Sequence, residues 1–272
     1  QEETIYHGKS LLSIQTYKGC YIGCAYCFRK EKSETKPRRV ISDEELFKSL
    51  LRHPLFVRNG SFLSINSSDT DPFLEEVVNS TFNLLDMMEK KGLRNRVSLV
   101  TKKGTSDENI ARLGKYRNID LDLCITYSDM PREIEHYSNE ARIDFLLRLK
   151  DSGINHLVFY RPIAVGWNDS RESIRKVLSV AQRSGTQGIV VGGLMLSRSI
   201  RQLILDNGLD VPYRETEDIK KYLPGKFIED LFSVYDELGL DIPLFRRTSC
   251  GRSFLRGIPD YNGHFSHPEV NC

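Results

Sequence analysis

Residues 11–28 read Leu-Leu-Ser-Ile-Gln-Thr-Tyr-Lys-Gly-Cys-Tyr-Ile-Gly-Cys-Ala-Tyr-Cys-Phe, an apolar run followed by three cysteines within eight positions. The run 11–16 predicts a first β-strand, and the glycines among the cysteines permit the tight backbone that brings the sulfurs together. Three thiolates spaced C-x3-C-x2-C can hold one corner of a cubane cluster and leave one iron without a protein ligand. The stretch therefore predicts a [4Fe–4S] cluster with an open coordination position, bound by Cys20, Cys24 and Cys27.

The same cysteines have two plainer interpretations, which are a zinc site and three unconnected buried thiols. Structural zinc normally takes four protein ligands. No fourth cysteine or histidine lies close by in the sequence. The number of ligands therefore favours the iron–sulfur cluster.

The rest of the chain alternates short β-rich runs with longer helical patterns. The predicted strands are 11–16, 62–66, 97–101, 121–126, 156–161, 188–194 and 242–246. One helix is predicted after a capping box formed by Ser42 and Glu45, and a second from Asp71-Pro72 to Gly92. Further helices are predicted at about 106–116, 139–151, 170–184 and 226–238. This alternation predicts an α/β fold with a parallel sheet or barrel over residues 1–246, whose chemistry gathers at the carboxyl ends of the strands.

Residues 247–272 show no clear periodicity. They predict a C-terminal tail that covers the barrel mouth or carries a second metal site.

Composition excludes few classes of protein but disfavours two. The chain has 39 basic and 37 acidic residues, a net charge of +2, whereas a dedicated binder of the phosphate backbone is usually far more basic. No apolar run approaches the roughly 20 residues that span a bilayer, and the polar start of the chain does not resemble a signal peptide. The crowding of three of the six cysteines favours a metal site in a reducing compartment, so the predicted location is the cytoplasm.

The cysteine spacing, with an aromatic residue directly before the third cysteine and a strand ahead of the first, resembles the signature of the radical S-adenosylmethionine (SAM) superfamily. The resemblance implies a partial (β/α)6 TIM-type barrel in which the amino and carboxylate groups of SAM chelate the open iron. It implies that a donor such as flavodoxin or ferredoxin reduces the cluster. SAM is then cleaved to methionine and a 5′-deoxyadenosyl radical, which abstracts a hydrogen from the substrate.

The residues after strands two to four are similar to those of the spore photoproduct lyase group within that superfamily. By this resemblance Ser67 or Ser68 contacts SAM, Lys102 neutralises its carboxylate, Thr126 lies near its ribose, and Tyr26 packs beside its adenine. The plainer alternatives are helix capping by the acidic segment after strand two and a solvated lysine. The lyase's own hydrogen-donor cysteine has no counterpart here, because Ser67 or its neighbour stands in its place.

Three further residues are candidates for SAM binding. Arg142 lies in a pattern similar to the lyase group and is a candidate for holding the SAM carboxylate, with a surface ion pair as the alternative. Arg161 ends strand five, and an arginine in a barrel mouth is costly to bury without an anion or carboxylate. Gly192 in strand six lets a ligand approach the backbone. Ordinary barrel packing is the alternative for both.

The remaining cysteines admit two roles. Cys124 and Cys250 are candidate donors of a hydrogen atom to a product radical, although buried inert cysteine is the commoner fate of a residue such as Cys124. The tail also carries four residues that can bind a metal, which are Cys250, His264, His267 and Cys272.

The leading hypothesis is a radical SAM enzyme that acts on a small molecule or a peptide. Repair of a nucleic-acid lesion, as in spore photoproduct lyase, is the alternative within the same chemistry, and the near-neutral charge disfavours it. A zinc-stabilised binding module without catalysis is the alternative from a different class.

Overall fold

The computed structural model describes residues 3–8, 11–27, 34–212 and 219–258. Within these residues the strands are β1 Ile5–His7, β2 Leu12–Ile14, β3 Tyr17–Lys18, β4 Arg38–Arg39, β5 Leu63–Ile65, β6 Arg96–Thr101, β7 Asp120–Thr126, β8 His156–Ile163, β9 Ile189–Gly193, β10 Met195–Leu196, β11 Ile219–Lys220 and β12 Leu244–Phe245. The helices of the same residues are α1 Asp43–Arg52, α2 Val78–Lys90, α3 Asp107–Leu113, α4 Asn139–Leu149, α5 Arg171–Ser184, α6 Arg198–Asp206, α7 Gly225–Glu237 and α8 Thr248–Arg256. None of these helices combines the length and the apolar character that a bilayer crossing needs.

Eight strands form one sheet in the order β1-β2-β5-β6-β7-β8-β9-β12. The β1–β2 pair is antiparallel and every other neighbouring pair of this sheet is parallel. In the described part of the chain β1 and β12 are its edges, so the curved sheet does not close on itself there. The predicted α/β class is confirmed, and the arrangement is that of a partial TIM-type barrel.

The two faces of the sheet differ in chemistry because side chains alternate along each strand. The outer face carries apolar residues, such as Ile14 and Ile125, which join α1–α5 and α7 in the main hydrophobic core. The inner face carries a polar row in register across β2, β5, β6 and β7, formed by Ser13, Ser64, Ser98 and Asp122. A polar interior beside an apolar shell leaves the middle of the barrel suited to polar ligands.

The helix starts follow the local sequence in one case and depart from it in another. The capping box is confirmed, since the Ser42 hydroxyl accepts the Glu45 backbone N–H and the Glu45 side chain returns to the Ser42 backbone. The helix expected from Asp71-Pro72 begins only at Val78, after turns at 72–77. The Asp71 carboxylate accepts N–H groups from the end of β6, which ties this segment to the sheet instead of starting a helix.

The tail contains a helix, α8, where the sequence showed no periodicity. Its buried side carries Gly251 and Arg252 instead of large apolar residues, which explains why no apolar pattern is visible. Arg256 forms ion pairs with Asp120 and Asp122, at the beginning of β7. Up to residue 258 the tail packs on the inner face of the sheet, from Thr248 at Arg161 of β8 to Arg256 at the beginning of β7. Its expected role as a cover over the barrel mouth stays a prediction. The other predicted metal ligands of the tail, His264, His267 and Cys272, lie outside the described residues.

Folding stability should depend on pH through His156, which is 1% exposed at the start of β8. Burial lowers the pKa of His156 below its ordinary 6.5, and the Ile154 carbonyl, 3.2 Å from its Nδ1, offsets this only in part. Below pH 6.5 the unfolded histidine binds a proton that the folded one does not, so the wild type loses stability as pH falls, by up to about 1.4 kcal/mol per pH unit.

Urea unfolding at pH 7.5 and 5.5 measures this contribution. We expect His156→Gln, which does not titrate, to lose less free energy of unfolding between the two pH values than the wild type. Equal losses in both proteins would contradict the assignment.

Candidate active site

The three cysteines lie in one loop over the carboxyl ends of β5 and β7. The Gly19 N–H donates to the carbonyl of Asp69 after β5 at 3.0 Å, and the Ala25 N–H donates to the carbonyl of Ile134 after β7 at 2.8 Å. Cys20, Cys24 and Cys27 are all free thiols. The loop thus holds its sulfurs at the sheet edge where barrel enzymes carry their chemistry.

Two glycines give the loop its path, as the sequence predicted. Gly19 has φ +94° and Gly23 has φ +82°, a region that side chains with a Cβ rarely adopt. A Cβ on Gly19 would lie 2.0 Å from the Lys36 carbonyl oxygen, and one on Gly23 would lie 2.6 Å from Nδ1 of His136. Both positions therefore combine an unusual backbone with a close neighbour.

Gly19→Ala is expected to disrupt the loop and to lower the iron content of the reconstituted protein. The left-handed backbone alone costs an alanine about 1–2 kcal/mol, and the clash with the Lys36 carbonyl adds to it. Gly153→Ala is the matched control, because Gly153 has φ +71° but no atom within 4 Å of its added Cβ. Iron per chain should fall in the first variant and stay near the wild-type value in the second; equal values would show that the loop tolerates the Cβ.

The cysteines open onto a cavity of about 180 Å³ between the loop and the strand ends. Its walls come from the loop, the segment after β5, the end of β6 and the end of β7. The lining residues are Cys20, Ile22, Cys24, Cys27, Ser67, Ser68, Asp69, Thr70, Asp71, Val100, Thr101, Lys102 and Thr126. Residues far apart in sequence thus converge on one space beside the three sulfurs.

Asp71 organises the cavity wall. Its carboxylate accepts the Lys102 N–H at 2.7 Å, the Phe73 N–H at 3.0 Å and the Thr101 hydroxyl at 2.9 Å. Burial raises the pKa of Asp71, and these donors act in the opposite direction by stabilising the charged form. The carboxylate fixes the segment after β5 against the end of β6, and so fixes the backbone from which the Lys102 side chain extends.

Lys102 belongs to a buried network of charges. Its Nζ donates to the Tyr26 hydroxyl at 2.6 Å and forms a short ion pair with Glu135. The other Glu135 oxygen lies 2.5 Å from Nη1 of Arg142, and both of these side chains are fully buried. Arg142 also donates to the Tyr137 carbonyl at 3.0 Å. One carboxylate faces two cations, so the network carries a net positive charge next to the cysteines.

The thiols lie in a poorly hydrated place. Burial raises the pKa of Cys20 and of Cys24 to about 12, while the nearby Lys102 cation lowers that of Cys24. Cysteines bind iron as thiolates, so loading this site releases protons. The net positive charge of the Lys102 network partly offsets the negative charge of the thiolates.

The residues present fit a cluster and a polar ligand beside it. Three soft sulfur donors are the ligand type that iron–sulfur clusters take. In the described residues no three His, Cys, Asp or Glu side chains are close enough to hold a single metal ion; the sulfur ligands of a cubane, in contrast, bind different irons. Thr70 Oγ1 is buried on the cavity wall without a hydrogen-bond partner in the described part of the chain, so it is available to a polar ligand.

Four of the predicted SAM contacts line the cavity, and a fifth lies beside it. Ser67, Ser68 and Thr126 line it with Lys102. The Ser67 hydroxyl already donates to the Ile65 carbonyl and accepts the Val100 N–H, which makes it part of the wall. Tyr26 lies outside the lining but accepts from Lys102, as described above.

The other predicted residues do not line this cavity. Arg142 lies behind Lys102 and binds Glu135. Arg161 and Gly192 adjoin each other on the inner faces of β8 and β9, since a Cβ on Gly192 would lie 3.7 Å from Cβ of Arg161. Cys124 and Cys250 are fully buried in one small apolar cluster on the inner face. Cys124 is a free thiol, and its role as a hydrogen donor stays a prediction, whereas Cys250 is disulfide-bonded and has no S–H hydrogen to donate.

Sequence reasoning missed the roles of Asp71, Thr70 and Glu135. The sequence pattern predicts a helix that begins at Asp71, and it gives no indication that Glu135 is buried. The position of Asp71 at a strand end was a usable signal, whereas Glu135 lies in the irregular segment between β7 and α4, where no periodicity indicates burial.

Comparison with known proteins agrees with this site. A family model described as the Radical SAM superfamily matches residues 14–179, more than half of the chain. No curated protein matches the sequence significantly. The fold is similar to that of spore photoproduct lyase complexed with a dinucleoside spore photoproduct, with a TM-score of 0.59, 14% identity, and coverage of 84% of this chain and 74% of that one.

The fold is also similar to SuiB of Streptococcus suis bound to the precursor peptide SuiA, with a TM-score of 0.59, 12% identity, and coverage of 90% of this chain and 50% of that one. A second SuiB structure, bound to S-adenosylmethionine, gives a TM-score of 0.56 at 12% identity, with coverage of 86% and 51%. The chain thus spans about half the length of SuiB. With the family match and the cysteine cavity together, this chain belongs to the radical SAM superfamily and is an enzyme that uses a [4Fe–4S] cluster and SAM.

Proposed function

We propose that Cys20, Cys24 and Cys27 hold the cluster and that the adjoining cavity binds SAM for hydrogen abstraction from a peptide or small-molecule substrate. The observation that carries this proposal is the convergence of three free thiols, the Lys102 network and the unpartnered Thr70 hydroxyl on one cavity. When bound, the reduced cluster supplies the electron that cleaves SAM to methionine and a 5′-deoxyadenosyl radical.

The residues of the chain bind and orient. Lys102 supplies positive charge for the methionyl carboxylate of SAM. Glu135 and Tyr26 hold the Lys102 ammonium group in place. Thr70, after β5, and Thr126, at the end of β7, offer hydroxyls to the polar groups of SAM. Within the loop, Cys24 is buried, whereas Cys20 and Cys27 are partly exposed.

A peptide or small molecule is the preferred substrate class. The likeness to SuiB, which binds a peptide, supports a peptide, and the formal net charge of +2 does not favour a nucleic-acid backbone. Repair of a nucleic-acid lesion is the second candidate, supported by the likeness to spore photoproduct lyase with its dinucleoside. We infer an electron donor such as flavodoxin or ferredoxin and a cytoplasmic location, which suit free cluster-binding thiols.

Lys102→Met tests the assignment of the cavity to SAM. Loss of a charge-assisted contact of about 1.5–3 kcal/mol should weaken SAM binding by roughly 10- to 150-fold. The measurement is equilibrium binding of SAM to the reconstituted protein, with the iron content determined in the same samples to separate ligand loss from cluster loss.

Lys103→Met is the matched control, because the adjacent Lys103 pairs at 3.7 Å with the exposed Glu75 instead of the buried network. We expect near wild-type SAM affinity in this control. Unchanged SAM affinity in Lys102→Met at normal iron content would reject the role given to Lys102.

A further inference from the structure

Two arginines at the inner face of the sheet, Arg161 of β8 and Arg252 of α8, have no carboxylate partner among the described residues; we call them the arginine pair. The other two arginines most deeply buried in the described residues are ion-paired. Arg142 pairs with Glu135, and Arg256 pairs with Asp120 and Asp122. The arginine pair is thus an exception to the way this fold treats its buried cations.

Within the part of the chain that the structure describes, the polar contacts of the arginine pair are uncharged groups: two hydroxyls and the Cys124 thiol, which Arg252 contacts. Arg161 Nη1 donates to Oγ1 of Thr248 at 2.7 Å, and Arg252 Nη2 donates to Oγ of Ser98 at 2.8 Å. Arg252 is 7% exposed, and its Nε is buried without a hydrogen-bond partner. Asp122, in register with Ser98, forms its ion pair with Arg256 instead.

The two guanidinium groups share one aromatic neighbour. Cζ of Arg161 lies 3.9 Å from the ring centroid of Phe159, and Cζ of Arg252 lies 6.0 Å from the same centroid. Burial, together with the nearby Arg252 cation, lowers the pKa of Arg161 to about 10. Contact with an aromatic ring offsets only part of the free energy that it costs to dehydrate two like charges. A bound anion would offset more of this cost.

The arginine pair adjoins the cavity assigned to SAM. Ser98 precedes the cavity residue Val100 by two positions on the inner face of β6. Phe159 is in register with the cavity residue Thr126 on neighbouring β7. Arg161 is only partly buried, and the absence of a side chain at Gly192 leaves room beside the aliphatic stem of Arg161.

We propose that Arg161 and Arg252 bind an oxyanion of the substrate, a carboxylate or a phosphate, inside the barrel and next to the cavity. That the bound oxyanion belongs to the substrate rests on the proposed function. The existence of the anion site does not depend on it. It assigns the pair to the substrate and not to SAM. A substrate held there by its anionic group would present its remaining atoms to the cavity in which the radical forms.

The test is titration of the reconstituted full chain with inorganic phosphate at constant ionic strength, followed by calorimetry, with acetate as a second arm. We expect saturable binding at one site, weakened about tenfold or more in Arg161→Gln and in Arg252→Gln. Arg148→Gln removes the same charge from a surface pair with Asp107 and Asp144 and should bind as the wild type does. The stronger of the two probes identifies the oxyanion as phosphate or carboxylate.

Arginine-to-lysine replacements keep the proposal testable if the glutamine variants do not fold. Lysine keeps the charge but not the planar fork, so Arg161→Lys and Arg252→Lys should weaken binding less than glutamine does, yet measurably. No saturable binding, equal affinity in wild type and variants, or displacement of phosphate by SAM would each overturn the proposal. Release of 5′-deoxyadenosine by the same samples is measured separately, so a failure of SAM cleavage with intact phosphate binding rejects the proposed function and not the anion site.

Discussion

Cys24→Ala is expected to reduce the iron content of the anaerobically reconstituted protein from about four per chain to near zero and to abolish SAM cleavage. Cys24 is 7% exposed and lies against Ile22, Leu74 and Val77, so water cannot readily replace the lost sulfur. A cluster with two protein ligands instead of three would have two open irons. Iron quantification and the absorbance of the brown protein measure the effect.

Cys124→Ala is the matched control for this experiment. Cys124 is also a free and buried cysteine, but it belongs to a different apolar cluster and is not among the residues that line the cavity. Its replacement should leave iron near four per chain. Normal iron in Cys24→Ala, or equal losses in both variants, would refute the ligand assignment.

Glu135→Gln is expected to destabilise the protein by about 3–5 kcal/mol, the usual cost of leaving a buried charge without its partner. The substitution leaves both Lys102 and Arg142 without a carboxylate in a site where Glu135 and Arg142 are fully buried. Urea unfolding followed by circular dichroism measures the change as a lower midpoint. Arg142→Met should cost less, because Glu135 then keeps Lys102 as its counter-ion.

Glu237→Gln provides the control for this second variant. Glu237 likewise bridges two cations, Arg171 and Arg175, but on the surface, where its side chain is 41% exposed. Exposed pairs contribute about 0–1 kcal/mol, so the control should unfold close to the wild type. A loss in Glu135→Gln no larger than in Glu237→Gln would show that the network is not a structural element.

The sequence predicts the sheet well because the outer face of each strand is apolar and packs against helices. Parallel strands whose outer residues meet helices show as apolar runs, and six predicted strands from 62–66 onward, as well as 11–16, overlap members of the main sheet. The inner face is less visible, because it alternates serine, aspartate, cysteine and arginine. For the same reason α8 escaped prediction, since its buried Arg252 and Gly251 do not resemble a core-facing helix.

The candidate site divides in the same way. Local spacing was sufficient for the three cysteines, and the position at strand ends was sufficient for Lys102 and Thr126 to be placed on the cavity. Contacts between distant segments were not predictable, and the ion pair of Glu135 with Arg142 is one of them. Arg142, expected at the SAM carboxylate, instead lies one contact behind Lys102, because only tertiary packing decides which cation reaches the cavity.

The central claim is that the three cysteines support reductive cleavage of SAM. The direct measurement is 5′-deoxyadenosine, quantified by mass spectrometry after the anaerobically reconstituted wild type is mixed with SAM and dithionite. We expect a brown protein with about four irons per chain that releases 5′-deoxyadenosine only when both SAM and reductant are present. A colourless protein that holds one zinc and leaves SAM intact would contradict it.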